Sequence, residues 1–165
     1  MNIIKILDEN TANKIAAGEV VDRPSSVIKE LVENAIDAGS TKIEIEIMAG
    51  GISFMRVTDN GCGMSKADLK LSVQRHATRK LRTAADLNNI ETLGFRGEAL
   101  ATIAAVSKFS ILSRQAEADF ASIIEISGGT ITDFSEAGGN IGTTVKVEDL
   151  FYNTPARKKF LKTPS

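Results

Sequence analysis

The second half of the chain contains four strand-like segments joined by short turns, which limits the fold more than any other feature. The four segments are Lys108–Arg114, Ser122–Ser127, Thr130–Phe134 and Thr143–Glu148. Gly128-Gly129 stands between two of them, and such a pair is typical of a hairpin turn. Connections this short favour hairpins over regular βαβ units. We therefore predict a mainly antiparallel sheet.

A second hairpin is predicted nearer the start. Residues 42–48 alternate isoleucine with lysine or glutamate, the pattern of a half-buried strand that buries Ile43, Ile45 and Ile47. Gly50-Gly51 then turns the chain into a strand over Ile52–Thr58, which should pair with the first one antiparallel. A further short strand is predicted over residues 2–7.

Helical patterns lie mostly before the last strands. One spans Ser25–Ala38, begun by Pro24 with a serine cap and ended by Gly39. Four other segments are predicted to be helical: residues 9–17, 66–74, 83 onward and 98–106. Ser65 and Thr83 are the predicted caps of two of them. Residues 93–97 are predicted to form a loop. The fold class is therefore α+β: a two-layer sandwich whose mixed, mainly antiparallel sheet is covered on one face by helices.

Polar side chains converge on the Ser25–Ala38 helix. Glu30, Asn34 and Asp37 fall within roughly 60° of arc, and Asn34 lies beside the apolar half, which includes Ile36. A polar group at such a boundary is only partly solvated, so packing can fix its geometry. These residues therefore form either a candidate site or the solvated face of a surface helix.

The loop of residues 59–64 follows a strand whose apolar residues should be buried. Asp59 stands at the strand end, where a carboxylate can accept a hydrogen bond from an exocyclic amine. Gly61 and Gly63 permit a tight turn and the close approach of a flat ligand. A plain Asp-Asn-Gly turn is the alternative. A nucleophilic role for Cys62 is disfavoured, because no histidine is near it in sequence.

Two later segments offer anion-binding groups. Residues 75–82 carry four arginine or lysine side chains beside Thr78, which could surround phosphates or form a solvated helix end. Residues 94–98 precede a helix, so free amides there, reinforced by Arg96, form a possible anion site. Neither a P-loop nor a Rossmann glycine motif occurs in the chain.

Composition narrows the class of protein. The 165 residues are 42% hydrophobic, enough for one core and one domain. The 20 basic and 21 acidic side chains nearly cancel, so the net charge of the chain does not favour binding to nucleic acid or to a membrane surface. Cys62 and His76 are single, which excludes an internal disulfide and argues against a His/Cys metal cage. No apolar run reaches membrane-spanning length, and we expect a soluble, intracellular protein.

The order of these motifs resembles the GHKL ATPases, the superfamily of gyrase B subunits, the large heat-shock chaperone, histidine kinases and mismatch-repair proteins. The matching strings are ELVENAIDAG (30–39), DNGCGM (59–64), GFRGEAL (94–100) and GTTV (142–145). Further strings resemble the MutL mismatch-repair family: IAAGEVV (15–21), RHAT (75–78) and DLFYNTPARKKFL (149–161). The resemblance spans residues 2–162 and implies the GHKL, or Bergerat, ATPase fold.

The resemblance implies roles for individual residues. Glu30 matches the general base that orients the attacking water, and Asn34 the ligand of a Mg²⁺ ion that bridges the phosphates of ATP. Asp59 matches the acceptor of the adenine amine, Gly63 the residue against the base, and Thr143 the threonine at the back of the pocket. The remaining matches are lid residues near the phosphates, namely Thr78, Lys80, Gly94, Phe95, Arg96 and Gly97. Arg79 departs from the family, which usually has serine there, so the lid assignments at Thr78 and Lys80 are less direct.

The resemblance also implies a larger protein. Residues 1–165 match one GHKL-type nucleotide-binding domain, truncated before a second, transducer domain, so this chain should bind nucleotide but hydrolyse it poorly. The segment 75–97 is expected to order only around nucleotide. In the whole protein, ATP binding would close a homodimeric clamp that acts with a MutS-like mismatch-recognition protein and DNA. We expect no membrane partner. The expected location is the cytoplasm near the nucleoid, or the nucleus of a eukaryote.

Alternatives remain open at this point. One is a nucleotide-gated interaction module that binds ATP without hydrolysis, although Glu30 argues for catalysis. Another is a different GHKL member such as a type II topoisomerase subunit. A basic cluster at Arg157, Lys158, Lys159 and Lys162 could contact phosphates of DNA or simply face water.

Overall fold

In the part of the chain that the structure describes, six strands form one sheet. The computed structural model describes residues 23–74 and 95–154, with the side chains of residues 95–98 outside the description. The strands are β1 (Ile43–Met48), β2 (Phe54–Asp59), β3 (Lys108–Arg114), β4 (Ala121–Ser127), β5 (Thr130–Ala137) and β6 (Gly142–Glu148). They lie in the order β1-β2-β6-β3-β4-β5, and every pair is antiparallel. The predicted α+β class and both hairpins are confirmed, while the parallel component of the predicted mixed sheet is not found in the described part.

Among the described residues, three α-helices cover one face of this sheet: α1 (Pro24–Asp37), α2 (Lys66–Ser72) and α3 (Phe95–Ala105). Beneath them, Met55, Val57, Ile111 and Val147 are buried in rows that run across the central strands. These side chains alternate along each strand with residues of the opposite face, as strand geometry requires. The core therefore lies between the helices and the β2-β6-β3-β4 part of the sheet.

The predicted limits of α1 are confirmed, but its predicted cap is not. Pro24 begins the helix, and Gly39 follows it with a φ of +78°, the left-handed conformation of a helix end. The predicted serine cap is wrong: Arg23 holds the cap position, and its side chain does not cap the helix. Ser25 and Ser26 lie inside the first turn, because the helix starts at the proline.

The start of α2 is predicted correctly, and the start of α3 is not. Ser65 caps α2, since its hydroxyl accepts a hydrogen bond from the backbone N–H of Asp68 at 3.1 Å, as predicted. The helix ends at Ser72, two residues before the predicted Gln74. The predicted loop over residues 93–97 is wrong for Phe95–Gly97, which form the first turn of α3.

The predicted burial of the β1 isoleucines is confirmed in part for Ile43, which is half-buried and packs against the core, and is wrong for the other two. Ile45 and Ile47 are 47% and 50% exposed, although they lie on the helix side of the sheet. The reason is that, within the described residues, α1 packs over β2, whereas β1 lies at the edge of the sheet beyond that cover. Ile36, expected in the apolar half of α1, is 60% exposed. Alternation identifies the two faces of an element but not how far its neighbours extend.

Several predicted features lie outside the described residues: the strand over 2–7, the helix over 9–17, the helix from Thr83, the basic segment 75–82 and the cluster at 157–162. The lid prediction for 75–97 likewise stays a prediction. Among the described helices, none is long and apolar enough to cross a membrane.

Candidate functional site

Glu30 and Asn34 lie along the edge of the buried stripe of α1. Val27, Leu31 and Ala35 form that stripe, and Glu30 and Asn34, spaced one turn apart, are half-buried beside it. Glu30 Oε2 and Asn34 Nδ2 are both buried as atoms. Asn34 Nδ2 has no hydrogen-bond partner among the described residues, which is unusual for a buried amide and indicates a place for an acceptor atom of a ligand. Asp37, predicted to join this cluster, is exposed instead.

Asp59 and Thr143 are brought side by side at the end of the sheet. Asp59 of β2 is paired with Thr143 of β6, and Thr143 is paired in turn with Ser113 of β3. Residues directly opposite in an antiparallel pair share a face. The row therefore faces the helices, just as the buried row that contains Val57 does two positions earlier. We call this polar row, Asp59–Thr143–Ser113, the sheet-end row.

The loop after Asp59 is fixed by its own hydrogen bonds. Asp59 Oδ1 accepts a hydrogen bond from the N–H of Gly61 at 2.8 Å. Asn60 Oδ1 accepts hydrogen bonds from the N–H groups of Thr41 and Lys42, each at 2.9 Å. A carboxylate can accept several hydrogen bonds, so Asp59 retains capacity for a ligand while the loop keeps its orientation.

The same loop is joined to the end of α1. The N–H of Cys62 donates to the carbonyl oxygen of Ala38 at 3.0 Å, and Ala38 N–H donates to the Asn34 carbonyl oxygen at 3.0 Å. Asn34 is therefore one helical turn from the residue that the loop contacts. Glu30 lies one further turn away, about 6 Å along the axis from Asn34. The α1 pair and the Asp59 loop consequently belong to one region of the molecule.

Two glycines make backbone approaches that no other residue would permit. A Cβ atom at Gly63, where φ is +71°, would lie 2.0 Å from the carbonyl oxygen of Arg114. A Cβ atom at Gly142 would lie 2.1 Å from the carbonyl oxygen of Asp59. The close contacts that these glycines permit are thus with the protein's own strand ends, and they seat the loop on β3 and β6.

Ser113 was missed by the sequence analysis. Its hydroxyl accepts a hydrogen bond from the N–H of Met64 at 2.8 Å and contacts the hydroxyl of Thr143 at 2.8 Å. The side chain is 1% exposed. A signal was available, because Ser113 is the polar member of an inward-facing series whose other members are Phe109 and Ile111.

The other predicted site residues are less defined. Thr78, Lys80 and Gly94 lie outside the described residues, and Phe95–Gly97 are described only as helical backbone. Cys62 is exposed. Within residues 23–74 and 95–154, no group of three or more His, Cys, Asp or Glu side chains could hold a metal ion.

Comparison with known proteins agrees with this geometry. Residues 22–132 match the model of the histidine kinase-, DNA gyrase B- and HSP90-like ATPases. The chain belongs to this ATPase family. This family is the GHKL superfamily that the motif order resembles, and the two-layer fold is the GHKL ATPase fold.

Within the family, the relatives are mismatch-repair proteins. This GHKL domain is 56% identical over 165 residues to the DNA mismatch repair protein MutL of Caldanaerobacter subterraneus subsp. tengcongensis, and 58% identical over 160 residues to MutL of Agrobacterium fabrum. The alignments cover 100% and 97% of this chain but 28% and 26% of those proteins. The chain therefore spans about a quarter of the length of these relatives.

Solved structures show the same similarity. The Aquifex aeolicus MutL ATPase domain complexed with ADP is 36% identical, with a TM-score of 0.65 over 88% of this chain and 50% of that one. The N-terminal domain of a DNA repair protein is 32% identical, with a TM-score of 0.76 over 94% of this chain and 45% of that one. The fold is thus shared with a domain whose structure holds ADP.

Proposed function

We propose that the chain is the ATP-binding and ATP-hydrolysing module of a MutL-type DNA mismatch-repair protein. The observation that carries the proposal is the sheet-end row, in which Asp59 and Thr143 face the helices beside a loop held to α1. The similarity to a MutL ATPase domain complexed with ADP supports an adenine nucleotide as the ligand.

Asp59 would recognise the base. Its carboxylate stands at a strand end, and Gly61 and Asn60 fix its orientation through the hydrogen bonds of the loop. A charged carboxylate accepts from the exocyclic amine of adenine but meets a carbonyl oxygen at the same place in guanine. Gly63 would lie against the base and Thr143 at the back of the pocket.

Glu30 and Asn34 would serve the phosphates. Mg²⁺ in phosphoryl-transfer sites takes one or two protein oxygens and completes its shell with phosphate and water. Asn34 would offer its amide oxygen, Oδ1, to the ion. Its amide nitrogen, Nδ2, is buried and has no partner among the described residues, and as a donor it would suit a phosphate oxygen. When bound, the ion would neutralise phosphate charge. Glu30, one turn away on the same stripe, would orient the attacking water and accept its proton.

The first turn of α3 offers a further phosphate site. The N–H groups at the start of a helix have no intrahelical acceptors, and the helix dipole favours an anion there. Phe95, Arg96 and Gly97 occupy that turn, and Gly94 precedes it. Together with Thr78 and Lys80 they would form the lid over the triphosphate.

The whole protein's activity is part of the proposal. Residues 1–165 would be one nucleotide-binding domain, continued by a transducer domain that completes catalysis, so the present chain would turn over ATP slowly. ATP-dependent association of N-terminal domains in a homodimer would close a clamp that acts with a MutS-like protein and DNA. Such a protein works in the cytoplasm, at the nucleoid, or in the nucleus of a eukaryote. Glu30 distinguishes this function from nucleotide binding without hydrolysis, because a pure binder needs no general base.

Calorimetric titration of the 165-residue chain with Mg-ATP and with Mg-GTP tests the proposal. We expect saturable binding of one Mg-ATP and much weaker binding of Mg-GTP. Absence of ATP binding, or equal affinity for both nucleotides, would contradict it.

A further inference from the structure

We infer that Ser113 is a positioning residue that directs the hydroxyl proton of Thr143 toward the purine ring, and so contributes to selection of adenine. The inference rests on the proposed function, since it assigns a role within the same nucleotide site. The Ser113 hydroxyl has two short hydrogen-bond contacts, with Met64 and Thr143, and a third, longer one with Gly142.

The distances of these three contacts favour one direction for the bond to Thr143. A serine hydroxyl has one proton and two lone pairs. The N–H of Met64 can only donate, so at 2.8 Å it occupies one lone pair. The carbonyl of Gly142 is a second acceptor for the serine proton, but at 3.3 Å it makes the longer and weaker hydrogen bond. The Thr143 hydroxyl, at 2.8 Å, is the better acceptor for the serine proton.

This direction determines what Thr143 offers to a ligand. When Ser113 donates to Thr143 Oγ1, the threonine proton must point elsewhere. Asp59 is the residue next to Thr143 on the other side of the sheet-end row. A purine whose amine is held by Asp59 would place the ring nitrogen next to that amine close to Thr143. In adenine that nitrogen is an acceptor, and in guanine it carries a proton and would repel the donor.

The burial of Ser113 keeps its hydroxyl bonded to protein groups. Ser113 is 1% exposed, so water does not compete for its hydroxyl, and a partner lost there is not replaced by solvent. The same hydroxyl holds Met64, the residue after Gly63, so the orientation of Thr143 and the position of the loop depend on one group.

The test compares three nucleotides on matched variants of the 165-residue chain. The nucleotides are Mg-ATP, the 1-deaza analogue, which lacks the ring acceptor, and purine riboside triphosphate, which lacks the amine. The variants are Ser113→Ala and, as control, Ser122→Ala, a buried serine one strand further along the same row.

We expect the unmodified chain to bind the 1-deaza analogue about 10-fold more weakly than ATP, the effect of one lost hydrogen bond. In Ser113→Ala this difference should fall to about 2-fold, because the threonine proton is no longer directed. The preference for ATP over the analogue without the amine should stay unchanged, since Asp59 provides it. Ser122→Ala should behave like the unmodified chain, and Ser113→Thr, which keeps the hydroxyl, should restore the 1-deaza difference.

Equal weakening of all three nucleotides in Ser113→Ala would overturn the inference, because it would show a purely structural role. An unchanged 1-deaza difference would overturn it too. Should Ser113→Ala fail to fold, Ser113→Cys gives the same readout, since it keeps the shape and weakens the donor. Failure of the unmodified chain to bind ATP would instead refute the proposed function, so the two failures are distinguishable.

Discussion

Replacing Gly63 with alanine tests whether the loop of the nucleotide site is seated on the end of β3. The new Cβ atom would lie 2.0 Å from the carbonyl oxygen of Arg114, whereas ordinary contacts begin at 3.4 Å, so loop and strand would have to separate by the difference, 1.4 Å. The neighbour is backbone, so no side chain can rotate to relieve the contact. Residue 63 also has a φ of +71°, which L-residues rarely adopt.

The two costs can be separated with a matched control. Gly39 has a similar φ of +78° but nothing within 4 Å of its Cβ position, so Gly39→Ala measures the conformational cost alone, about 1–2 kcal/mol. Gly63→Ala adds a backbone displacement worth roughly 1–3 kcal/mol. Gly138 has neither feature, and Gly138→Ala should leave stability nearly unchanged.

Thermal unfolding followed by circular dichroism is the assay. For a domain of this size, 1 kcal/mol lowers the Tm by about 2–4 °C. We expect Gly63→Ala to lower the Tm by roughly 5–15 °C and Gly39→Ala by roughly 2–8 °C. Gly63→Ala should also lose more ATP affinity than Gly39→Ala, because its loop carries the residues around Asp59. Equal Tm losses in the two variants would refute the close approach of residue 63 to Arg114.

Three further predictions concern the nucleotide site. In a longer protein that includes the second domain, Glu30→Ala should retain ATP binding while steady-state phosphate release falls by ~10²–10⁴-fold, and unchanged turnover would remove Glu30 from the mechanism. Asp59→Ala should lose the preference for ATP over GTP, worth about 1–3 kcal/mol in calorimetry, and normal selectivity in that variant would show that another group reads the base. Asn34→Ala should abolish the gain in ATP affinity that Mg²⁺ provides over EDTA, with little effect on binding in EDTA; an intact magnesium effect would place the ion elsewhere.

The helix ends and hairpin turns were predictable because the residues that determine them lie within the same short segment. Pro24 and Gly39 mark the limits of α1, Ser65 caps α2, and Gly128-Gly129 forms its turn, with φ values of +55° and +89°. Each of these residues acts through its own backbone or through a partner at most three positions away. The position of Glu30 and Asn34 along one side of α1 follows from helical periodicity in the same way.

Features that depend on distant neighbours were predicted less well. Ile45 and Ile47 show the alternation of a buried strand, yet their exposure is decided by the edge position of β1, which no local pattern contains. Ser113 contacts Met64 across 49 residues of sequence, so its role becomes visible only when β3 is placed beside the loop. The helical start of α3 at Phe95 was missed because the glycines of this segment favour a loop in sequence.

The insertion of β6 between β2 and β3 explains why the site and the fold are coupled. β6 is the last described strand in sequence, but it is paired with β2 on one side and β3 on the other, so it joins the β1-β2 hairpin to the rest of the described sheet. The same insertion places Thr143 between Asp59 and Ser113, and it requires Gly142 to approach the backbone of Asp59 closely. Within the described sheet, a nucleotide bound at the sheet-end row would therefore contact residues of β2 and β3, two strands that are paired with β6 and not with each other. Because a ligand that binds only the folded state stabilises all the contacts on which its site depends, nucleotide binding here should stabilise the whole sheet rather than one loop.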